Sequence, residues 1–333
     1  MKTVRFLGKG KVAIEDVPKP TPGDDAVLVQ VKASAICGSE LHAFFGERRD
    51  RPDRLNDGHE VAGVVVEAPD GCPVRPGTRV GACIVQGCGQ CEACRIGRAP
   101  ACRRMRYHGW NGHSEYYALR LDGVRVLPDD VDWPTAALLT GDGLGTPIRC
   151  ARRLGDTAGQ RVVVLGLGPI GLGCVLVQAF RGARVLGADL CDYRVSLAAE
   201  LGAERVVHVE QADLKDAVLD WTDGRGADVA ILCVARDESV GEALGVLRHQ
   251  GTFFLLAEHP HAAFVLNDVL IRKEITMLGS WYYAREDWDE MLALHAAGLP
   301  YRKLVTHTFG FEQAQEAYDT FTSGQSGKVI LTW

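Results

Sequence analysis

The chain has 333 residues, 47% of them hydrophobic and 24% charged, with a formal net charge of −6. This composition is typical of a globular protein with an ample core, and the length favours two domains. The negative charge argues against a nucleic-acid partner, and no apolar run reaches the ~18 residues of a membrane span. Eleven cysteines and an opening stretch without an apolar signal segment predict a protein of the reducing cytoplasm.

The pattern of hydrophobic residues differs between the two halves of the chain. Up to about residue 130, short alternating strands such as 27–31 and 63–67 are separated by turn signals, which predicts a β-rich body. From about residue 160, apolar strands alternate with helical segments. That alternation predicts a parallel, doubly wound α/β sheet.

Two short motifs in the β-rich part contain the residue types that bind zinc. They are CGSELH, which starts at Cys37, and GHEVAG, which contains His59 and Glu60. Three protein ligands with an open fourth position are what a catalytic zinc needs. Taken alone, a cysteine and a histidine at this separation are commonly core residues. Beside a nucleotide-binding pattern and a cysteine cluster, they favour a metal site.

The cysteine cluster has the spacing C-x₂-C-x₂-C-x₇-C and consists of Cys88, Cys91, Cys94 and Cys102. The odd cysteine count of the chain argues against a disulfide framework, and the cluster lacks the x₃-Cys-Pro continuation usual for iron–sulfur ligation. A zinc ribbon for nucleic acid would need a basic chain, whereas this one is acidic. The spacing therefore predicts structural zinc, which closes its tetrahedron with four thiolates.

A glycine-rich turn, GLGPIG, follows the first strand of the second half and opens an apolar helix. In that context it predicts binding of a dinucleotide pyrophosphate at the helix N-terminus. The next strand ends in Asp189, which would accept hydrogen bonds from the adenosine ribose and repel a 2′-phosphate, so NAD is favoured over NADP. Arg194 tempers this preference, since a nearby arginine tolerates a 2′-phosphate. The turn residues predicted to bind the cofactor are Gly166, Gly168, Pro169, Ile170 and Gly171.

These motifs, together with the closing GKVILTW, resemble in order and spacing the zinc-dependent medium-chain alcohol, polyol and threonine dehydrogenases. The resemblance covers essentially the whole chain. It implies a β-rich GroES-like catalytic domain, residues 1–145 and 281–333, and a Rossmann dinucleotide-binding domain, residues 146–280. It also implies two zinc ions per chain, one catalytic and one structural, NAD as the cofactor, and a homodimer or homotetramer.

The resemblance assigns roles to individual residues. Cys37 and His59 would bind the catalytic zinc, with Glu60 as a ligand that exchanges with water or substrate. Asp142 is the remaining ligand candidate, and Thr146 would contact the nicotinamide. The alternative is that Asp142 only caps the following helix.

Three residues near Cys37 complete the predicted catalytic group. Glu40 stands where many relatives have aspartate, and would orient the zinc-bound imidazole of His59. Ser39 would accept the proton of the alcohol, and His42 would pass it to solvent. A histidine buried in the core is the alternative for His42.

Further contacts follow from strand ends and from the resemblance, with plain packing or solvated charge as the alternative for each. The additional cofactor contacts are Cys233, Val234, Leu256, Ser280, Trp281 and Lys328. The substrate pocket is predicted from Phe45, Ile84, Tyr107, Trp110, His113 and Tyr282.

This mixture of aromatic faces and polar tips predicts a polar secondary alcohol as substrate, such as a sugar, polyol, cyclitol or aminocyclitol, oxidised to a ketone or formed by the reverse reduction. A dehydrogenase of simple secondary or primary alcohols is the alternative. Zinc-free reductases of the same superfamily lack both ligand sets. A non-enzymatic structural or sensor relative would be expected to have lost catalytic ligands, and here none is lost.

Overall fold

The structure is a computed structural model that describes residues 1–46, 54–107, 109–258 and 261–333. The residues fall into two compact units: 1–145 with 282–292 and 305–333, and 146–281 with 293–304. Segment 293–304, which the resemblance placed in the first domain, packs with the second unit. Within the described ranges, no helix is long and apolar enough to cross a membrane. All eleven cysteines lie in these ranges and none forms a disulfide.

The chain up to residue 154 is rich in strands, as predicted. Its elements are β1 (Lys2–Gly8), β2 (Lys11–Asp16), β3 (Ala26–Ala35), α1 (Leu41–Phe44), β4 (Glu60–Glu67), β5 (Arg79–Ala82), β6 (Val85–Gln86), α2 (Glu92–Arg95), β7 (Arg106–Tyr107), β8 (Tyr116–Arg120), β9 (Val124–Val126), α3 (Trp133–Thr140) and α4 (Asp142–Leu154).

The next part alternates strands and helices up to residue 279. Its elements are β10 (Arg161–Leu165), α5 (Pro169–Phe180), β11 (Arg184–Asp189), α6 (Asp192–Glu200), β12 (Arg205–His208), α7 (Leu214–Trp221), β13 (Ala227–Leu232), α8 (Ser239–Gly245), β14 (Leu247–Leu255) and β15 (Thr276–Gly279). The chain ends with α9 (Trp288–Ala296), β16 (Val305–Gly310), α10 (Ala314–Thr322) and β17 (Lys328–Thr332).

A seven-stranded sheet in the order β16-β17-β3-β4-β5-β9, with β8 also paired to β3, forms the body of the first unit. The central strand β3 is buried along most of its length because β4, β8 and β17 all pair with it. Its pairing with β4 is antiparallel and sets Ala35 opposite Glu60. Its pairing with β17 sets Ala35 opposite Ile330. The register therefore gathers the end of β3, the start of β4 and the start of β17 at one edge.

The second unit contains a six-stranded parallel sheet in the order β12-β11-β10-β13-β14-β15. Numbered within the unit, this order is 3-2-1-4-5-6, so the direction of strand addition reverses between β10 and β13. Apolar residues such as Val163, Leu186 and Phe253 fill its core. The predicted parallel doubly wound sheet is confirmed. Dinucleotides bind such sheets beyond the carboxyl ends of the strands at the point of reversal.

Candidate active site and metal centres

Three segments bring four side chains together at one point of the first unit. Cys37 follows β3, His59 and Glu60 stand at the start of β4, and Asp142 opens α4. One donor atom from each of these residues lies within 4.8 Å of the others. The antiparallel pairing of Ala35 with Glu60 explains why the cysteine and histidine loops leave the sheet side by side.

The spacing of these donor atoms fits a tetrahedral ion. With bond lengths of about 2.0–2.3 Å, zinc holds its ligand atoms roughly 3.4–3.8 Å apart. His59 Nε2 lies 3.4 Å, and Cys37 Sγ 3.9 Å, from the same oxygen of Asp142. The three side chains therefore supply three corners of a suitable tetrahedron.

Two buried oxygens at this point have no hydrogen-bond partner in the part of the chain that the structure describes: Glu60 Oε2 and Asp142 Oδ1. Buried polar atoms are normally satisfied, so these oxygens suit a cation as their partner. A Cβ on Gly141 would lie 2.1 Å from Glu60 Oε2, so the glycine leaves room for the carboxylate. Asp142 is the first residue within α4, and its Oδ2 faces His59, which argues against the capping alternative.

The histidine ring is oriented by the main chain. His59 Nδ1 lies 2.7 Å from the carbonyl oxygen of Asp57. Because a carbonyl only accepts, Nδ1 carries the proton and Nε2 presents its lone pair to an ion. Arg54 forms an ion pair with the side chain of the same Asp57 and steadies this segment.

The structure corrects the predicted role of Glu40. Its nearer carboxylate oxygen is 3.9 Å from His59 Nδ1, beyond hydrogen-bond distance. The carboxylate bonds instead to the backbone of Cys37, to His113 and to Tyr318. Burial raises the pKa of Glu40, but His113, His59 and Tyr318 lower it by more. The pKa of this carboxyl therefore lies below its usual value.

Lys328 does not stand free for a cofactor phosphate, as the resemblance implied. Its Nζ donates to Glu60 Oε1, and the two side chains are 1% and 0% exposed. Burial lowers the pKa of Lys328, but Glu60 and Cys37 raise it by more, so the ammonium stays charged. Burial raises the pKa of Glu60, and Lys328 opposes that rise. The first unit thus contains a buried ion pair beside the metal ligands.

The cysteine cluster forms a second candidate metal centre in the first unit. Sulfur–sulfur distances are 3.4 Å for Cys91–Cys94, 3.6 Å for Cys91–Cys102 and 3.9 Å for Cys88–Cys94. These distances match the edges of about 3.8 Å that four thiolates make around zinc. A Cβ on Gly87 would lie 2.3 Å from Cys94 Sγ, so the loop can close only with glycine there.

Neighbouring groups shift the pKa values of the cluster's thiols in opposite directions. The backbone N–H groups of Gln90 and Cys91 lower the pKa of Cys88 to about 5, and Arg104 donates to the same sulfur at 3.3 Å. Burial and the adjacent thiols raise the pKa of Cys94 to about 12. All four sulfurs are ionised together at neutral pH only when a cation offsets their charge, so the donor set fits structural zinc.

The glycine turn of the second unit has the geometry of a pyrophosphate site. Gly166 has a φ of 86°, and a Cβ there would lie 2.7 Å from the Cβ of Val234. A Cβ on Gly171 would lie 1.8 Å from the carbonyl oxygen of Gly166. Around Gly168, by contrast, no described atom lies within 4 Å of such a position. An anion therefore has room to approach the N-terminus of the 12-residue helix α5, which starts at Pro169 and Ile170.

Asp189 ends β11 and braces this turn. Its Oδ2 accepts the N–H of Leu167 at 2.6 Å, and its Oδ1 accepts those of Leu190 and Cys191 at 2.8 and 3.0 Å. The carboxylate is half-buried, as is Arg194 on α6. Asp189 thus stands at the carboxyl end of its strand, and Arg194 lies in the first turn of the helix that follows.

The other predicted cofactor contacts in the second unit also follow strand ends. Cys233 follows β13, with its Cβ 3.5 Å from where a Cβ on Gly171 would lie. Leu256 follows β14, and its N–H donates to Leu232 at 3.0 Å. Ser280 and Trp281 follow β15, and Trp281 is 42% exposed.

Ser39, His42 and Thr146 occupy different environments. Ser39 Oγ lies 3.4 Å from Cys37 Sγ, which places the hydroxyl beside a metal ligand. His42 on α1 is exposed, so the alternative of a core histidine is wrong. Thr146 is buried in α4, four residues after Asp142.

Four of the predicted substrate contacts lie near one another or near the metal ligands. Burial raises the pKa of Tyr107 to about 12, and the nearby His59 and Asp142 shift that pKa in opposite directions. The Tyr282 hydroxyl accepts the N–H of Ile84 at 3.3 Å. The guanidinium of Arg54 lies 5.7 Å from the ring centre of Trp110.

The remaining two predicted pocket residues lie elsewhere. His113 is fully buried, and its ring bonds to Ser34 and Glu40 within the core. Phe45 is 49% exposed and packs edge-on against Phe44, beside the β1–β2 turn. Neither side chain therefore lines a pocket at the metal ligands.

Comparisons with known proteins agree with this geometry. The zinc-binding dehydrogenase family model matches residues 169–297, and the alcohol dehydrogenase GroES-like domain model matches residues 23–129. The chain is 34% identical to an L-threonine 3-dehydrogenase of Xanthomonas campestris pv. campestris, over 99% of this chain and 98% of that protein.

Solved structures give the same result. The alcohol dehydrogenase TADH from Thermus sp. ATN1 has a TM-score of 0.89 at 28% identity, covering 100% of this chain and 99% of that one. A putative zinc-binding dehydrogenase from Sinorhizobium meliloti 1021, bound to NADP, has a TM-score of 0.87 at 26% identity, with coverage of 100% and 99%.

The chain therefore belongs to the zinc-dependent medium-chain dehydrogenase/reductase family. It is an oxidoreductase of the zinc-containing alcohol dehydrogenase type. The predicted fold class, a GroES-like domain combined with a Rossmann sheet, is confirmed.

The buried pair of Lys328 and Glu60 can be tested by Lys328→Met. Removing one partner of a buried ion pair typically costs about 3–5 kcal/mol of unfolding free energy, because the other charge is left uncompensated. We expect a loss of that size in urea unfolding, with most of it recovered in the double variant Lys328→Met/Glu60→Gln. Unchanged stability with only a raised KM for the cofactor would favour the phosphate role that the resemblance implied.

Proposed function

We propose that this protein is a zinc-dependent, NAD-linked dehydrogenase that oxidises the secondary hydroxyl of a polar substrate to a ketone, or catalyses the reverse reduction. The observation that carries the proposal is the convergence of Cys37, His59, Glu60 and Asp142 on one point of the first unit. The glycine turn of the second unit supports a dinucleotide cofactor.

The donor set matches a divalent ion in charge. Cys37, His59 and Asp142 would hold the catalytic zinc, with two negative charges from the thiolate and the carboxylate. When bound, zinc supplies the Lewis acid that lowers the pKa of the substrate hydroxyl, and the nicotinamide accepts the hydride. Lys328 already neutralises Glu60, which leaves that carboxylate able to exchange with water or substrate.

Ser39 and His42 would carry the proton that the substrate hydroxyl loses. The Ser39 hydroxyl lies beside Cys37 and is exposed, so it can contact a bound alcohol. The exposed imidazole of His42 suits proton transfer to solvent near neutral pH.

The substrate class is inferred from the polar aromatic side chains nearby. Tyr107 is half-buried and its pKa is raised to about 12, so its hydroxyl stays protonated and can hydrogen-bond to a polar substrate. The Xanthomonas relative is named for L-threonine, whose secondary hydroxyl lies on the carbon next to the one that carries its ammonium and carboxylate groups. Simple alcohols are the second candidate, because the Thermus neighbour is named an alcohol dehydrogenase.

NAD is proposed over NADP because Asp189 places a carboxylate at the ribose side of the glycine turn. Two observations favour NADP instead. Arg194 lies on α6, and the Sinorhizobium structure holds NADP. The carboxylate also accepts the N–H of Leu167 in the turn and those of Leu190 and Cys191 after β11, so its charge and its bracing role have to be separated by experiment.

A second copy of this chain is the proposed protein partner, as a homodimer or homotetramer. β15 is an edge strand of its sheet, and the segment before it carries exposed apolar side chains such as Val265, Leu266 and Ile271. Unpaired edges and apolar patches of this kind favour association. Eleven cysteines without a disulfide support the reducing cytoplasm as the proposed compartment.

A substrate panel tests the proposed class. We expect kcat/KM with NAD to be at least about tenfold higher for polyols, sugars or hydroxy amino acids than for hydrophobic primary alcohols, because the aromatic side chains Tyr107 and Trp110 offer polar tips that can bind hydroxyl groups. Initial rates of NADH formation measure this. Turnover confined to hydrophobic primary alcohols would overturn the substrate assignment while leaving the reaction class intact.

Metal content separates the two proposed zinc sites. Wild-type protein is expected to hold two zinc ions per chain, and Cys37→Ala to lose one of them together with about a thousandfold of its activity. Cys94→Ala should lose the other zinc and chiefly damage stability. Cys72→Ala, outside both donor sets, is the control. A Cys37→Ala variant that retains two zinc ions would contradict the assignment.

The charge of Asp189 is tested by Asp189→Asn, which keeps an oxygen acceptor for the glycine turn. Loss of the repulsion toward a 2′-phosphate should lower the ratio of NAD to NADP kcat/KM at least about tenfold. Asp192→Asn removes the same charge three residues later, from a side chain that is 84% exposed, and should change the ratio little. An unchanged ratio in Asp189→Asn would contradict the NAD preference proposed here.

A further inference from the structure

Glu40 is a fully buried carboxylate that takes no part in the proposed chemistry. Its Oε1 accepts the backbone N–H of Cys37 at 2.9 Å. Its Oε2 lies 2.8 Å from His113 Nε2 and also accepts the hydroxyl of Tyr318. Three donors from three different segments therefore satisfy one carboxylate, and one of them is the main chain of a metal ligand.

His113, one of the three partners of Glu40, contacts the loop that carries His59. Gly58 directly precedes His59, and a Cβ there would lie 2.6 Å from the ring carbon Cδ2 of His113. Asn56 Oδ1 accepts the N–H groups of both Gly58 and His113, at 3.1 Å each. The other ring nitrogen of His113 lies 2.7 Å from Ser34 Oγ on β3. The imidazole is therefore held between β3 and the loop of His59.

Packing fixes the third member of the group. Tyr318 lies on α10, and its ring stacks on Phe44 with centroids 4.7 Å apart and meets Phe6 edge-on at 5.3 Å. The ring is fully buried, so its hydroxyl has one direction available. That hydroxyl bonds to Glu40, which ties α10 to the loop of Cys37.

We infer that Glu40, His113 and Tyr318 are positioning residues of the catalytic metal site. Glu40 fixes the loop of Cys37, His113 fixes the loop of His59, and the hydrogen bond between them sets the distance between the two ligands. The inference rests on the proposed function, because it requires metal to bind at Cys37 and His59.

Tyr318→Phe is the most conservative test, because it removes one hydroxyl and keeps the packed ring. Loss of a group that orients a metal ligand typically costs about 10–100-fold in metal affinity. We expect affinity at the Cys37 site to fall at least about tenfold, and the visible absorption of the cobalt-substituted site to change. The cysteine cluster of the same chain serves as an internal reference whose metal should be held as before.

Two further variants separate positioning from general stability. Tyr301→Phe removes the hydroxyl of another buried tyrosine, which bonds to His295 at 2.9 Å in the second unit, and should leave both metal sites unchanged. Glu40→Gln should weaken metal binding at Cys37 more than Tyr318→Phe. The double variant Glu40→Gln/Tyr318→Phe should bind metal at the Cys37 site as tightly as Glu40→Gln alone, because the effects of substitutions within one hydrogen-bond network do not add.

Lowered thermal stability in Tyr318→Phe with unchanged cobalt absorption and metal affinity would overturn the inference and leave these residues a purely structural role. Additive losses in the double variant would overturn it as well. Failure of the proposed function looks different: wild-type protein would then take up no metal at Cys37, whatever the behaviour of Tyr318→Phe.

Discussion

Buried negative charge is the constraint on which the first unit depends. Several carboxylates lie close to Cys37, and removing such charges from water is costly unless each finds a partner. Glu60 is neutralised by Lys328, and Glu40 by three hydrogen-bond donors. Cys37 Sγ and His59 Nε2 both face the same oxygen of Asp142, at 3.9 and 3.4 Å. A divalent ion completes the balance, so the electrostatics of the fold and the requirement for metal have the same origin.

The register of the sheet in the first unit brings these charged groups and their partners together. Because β3 pairs antiparallel with both β4 and β17, residues far apart in sequence leave one edge of the sheet together. The second unit uses register differently: parallel strands reverse their order beside β10, and the glycine turn opens where the neighbouring strands diverge. In each unit, the regular backbone is what places the chemical groups.

Features contained within one short segment could be predicted from the sequence. The cysteine cluster and the turn at 166–171 carry their spacing and their chemistry together, and the alternation of strands and helices defines the parallel sheet. Pairings between distant segments could not be predicted in this way. The partner of Lys328 depends on the register of β17, and the direction of the Glu40 side chain depends on a tyrosine in α10. The sequence predicts that His113 lines a pocket. Nothing local in the sequence shows that its ring instead fills the space beside Gly58.

Cys37, His59 and Asp142 are proposed to form a metal site distinct from the cysteine cluster. Anomalous diffraction at the zinc absorption edge, on crystals of the zinc-loaded protein, tests it most directly. We expect two anomalous peaks per chain, one surrounded by four sulfurs at about 2.3 Å and the other bound by one sulfur, one nitrogen and carboxylate oxygen. A single peak, confined to the cysteine cluster in fully loaded protein, would contradict it.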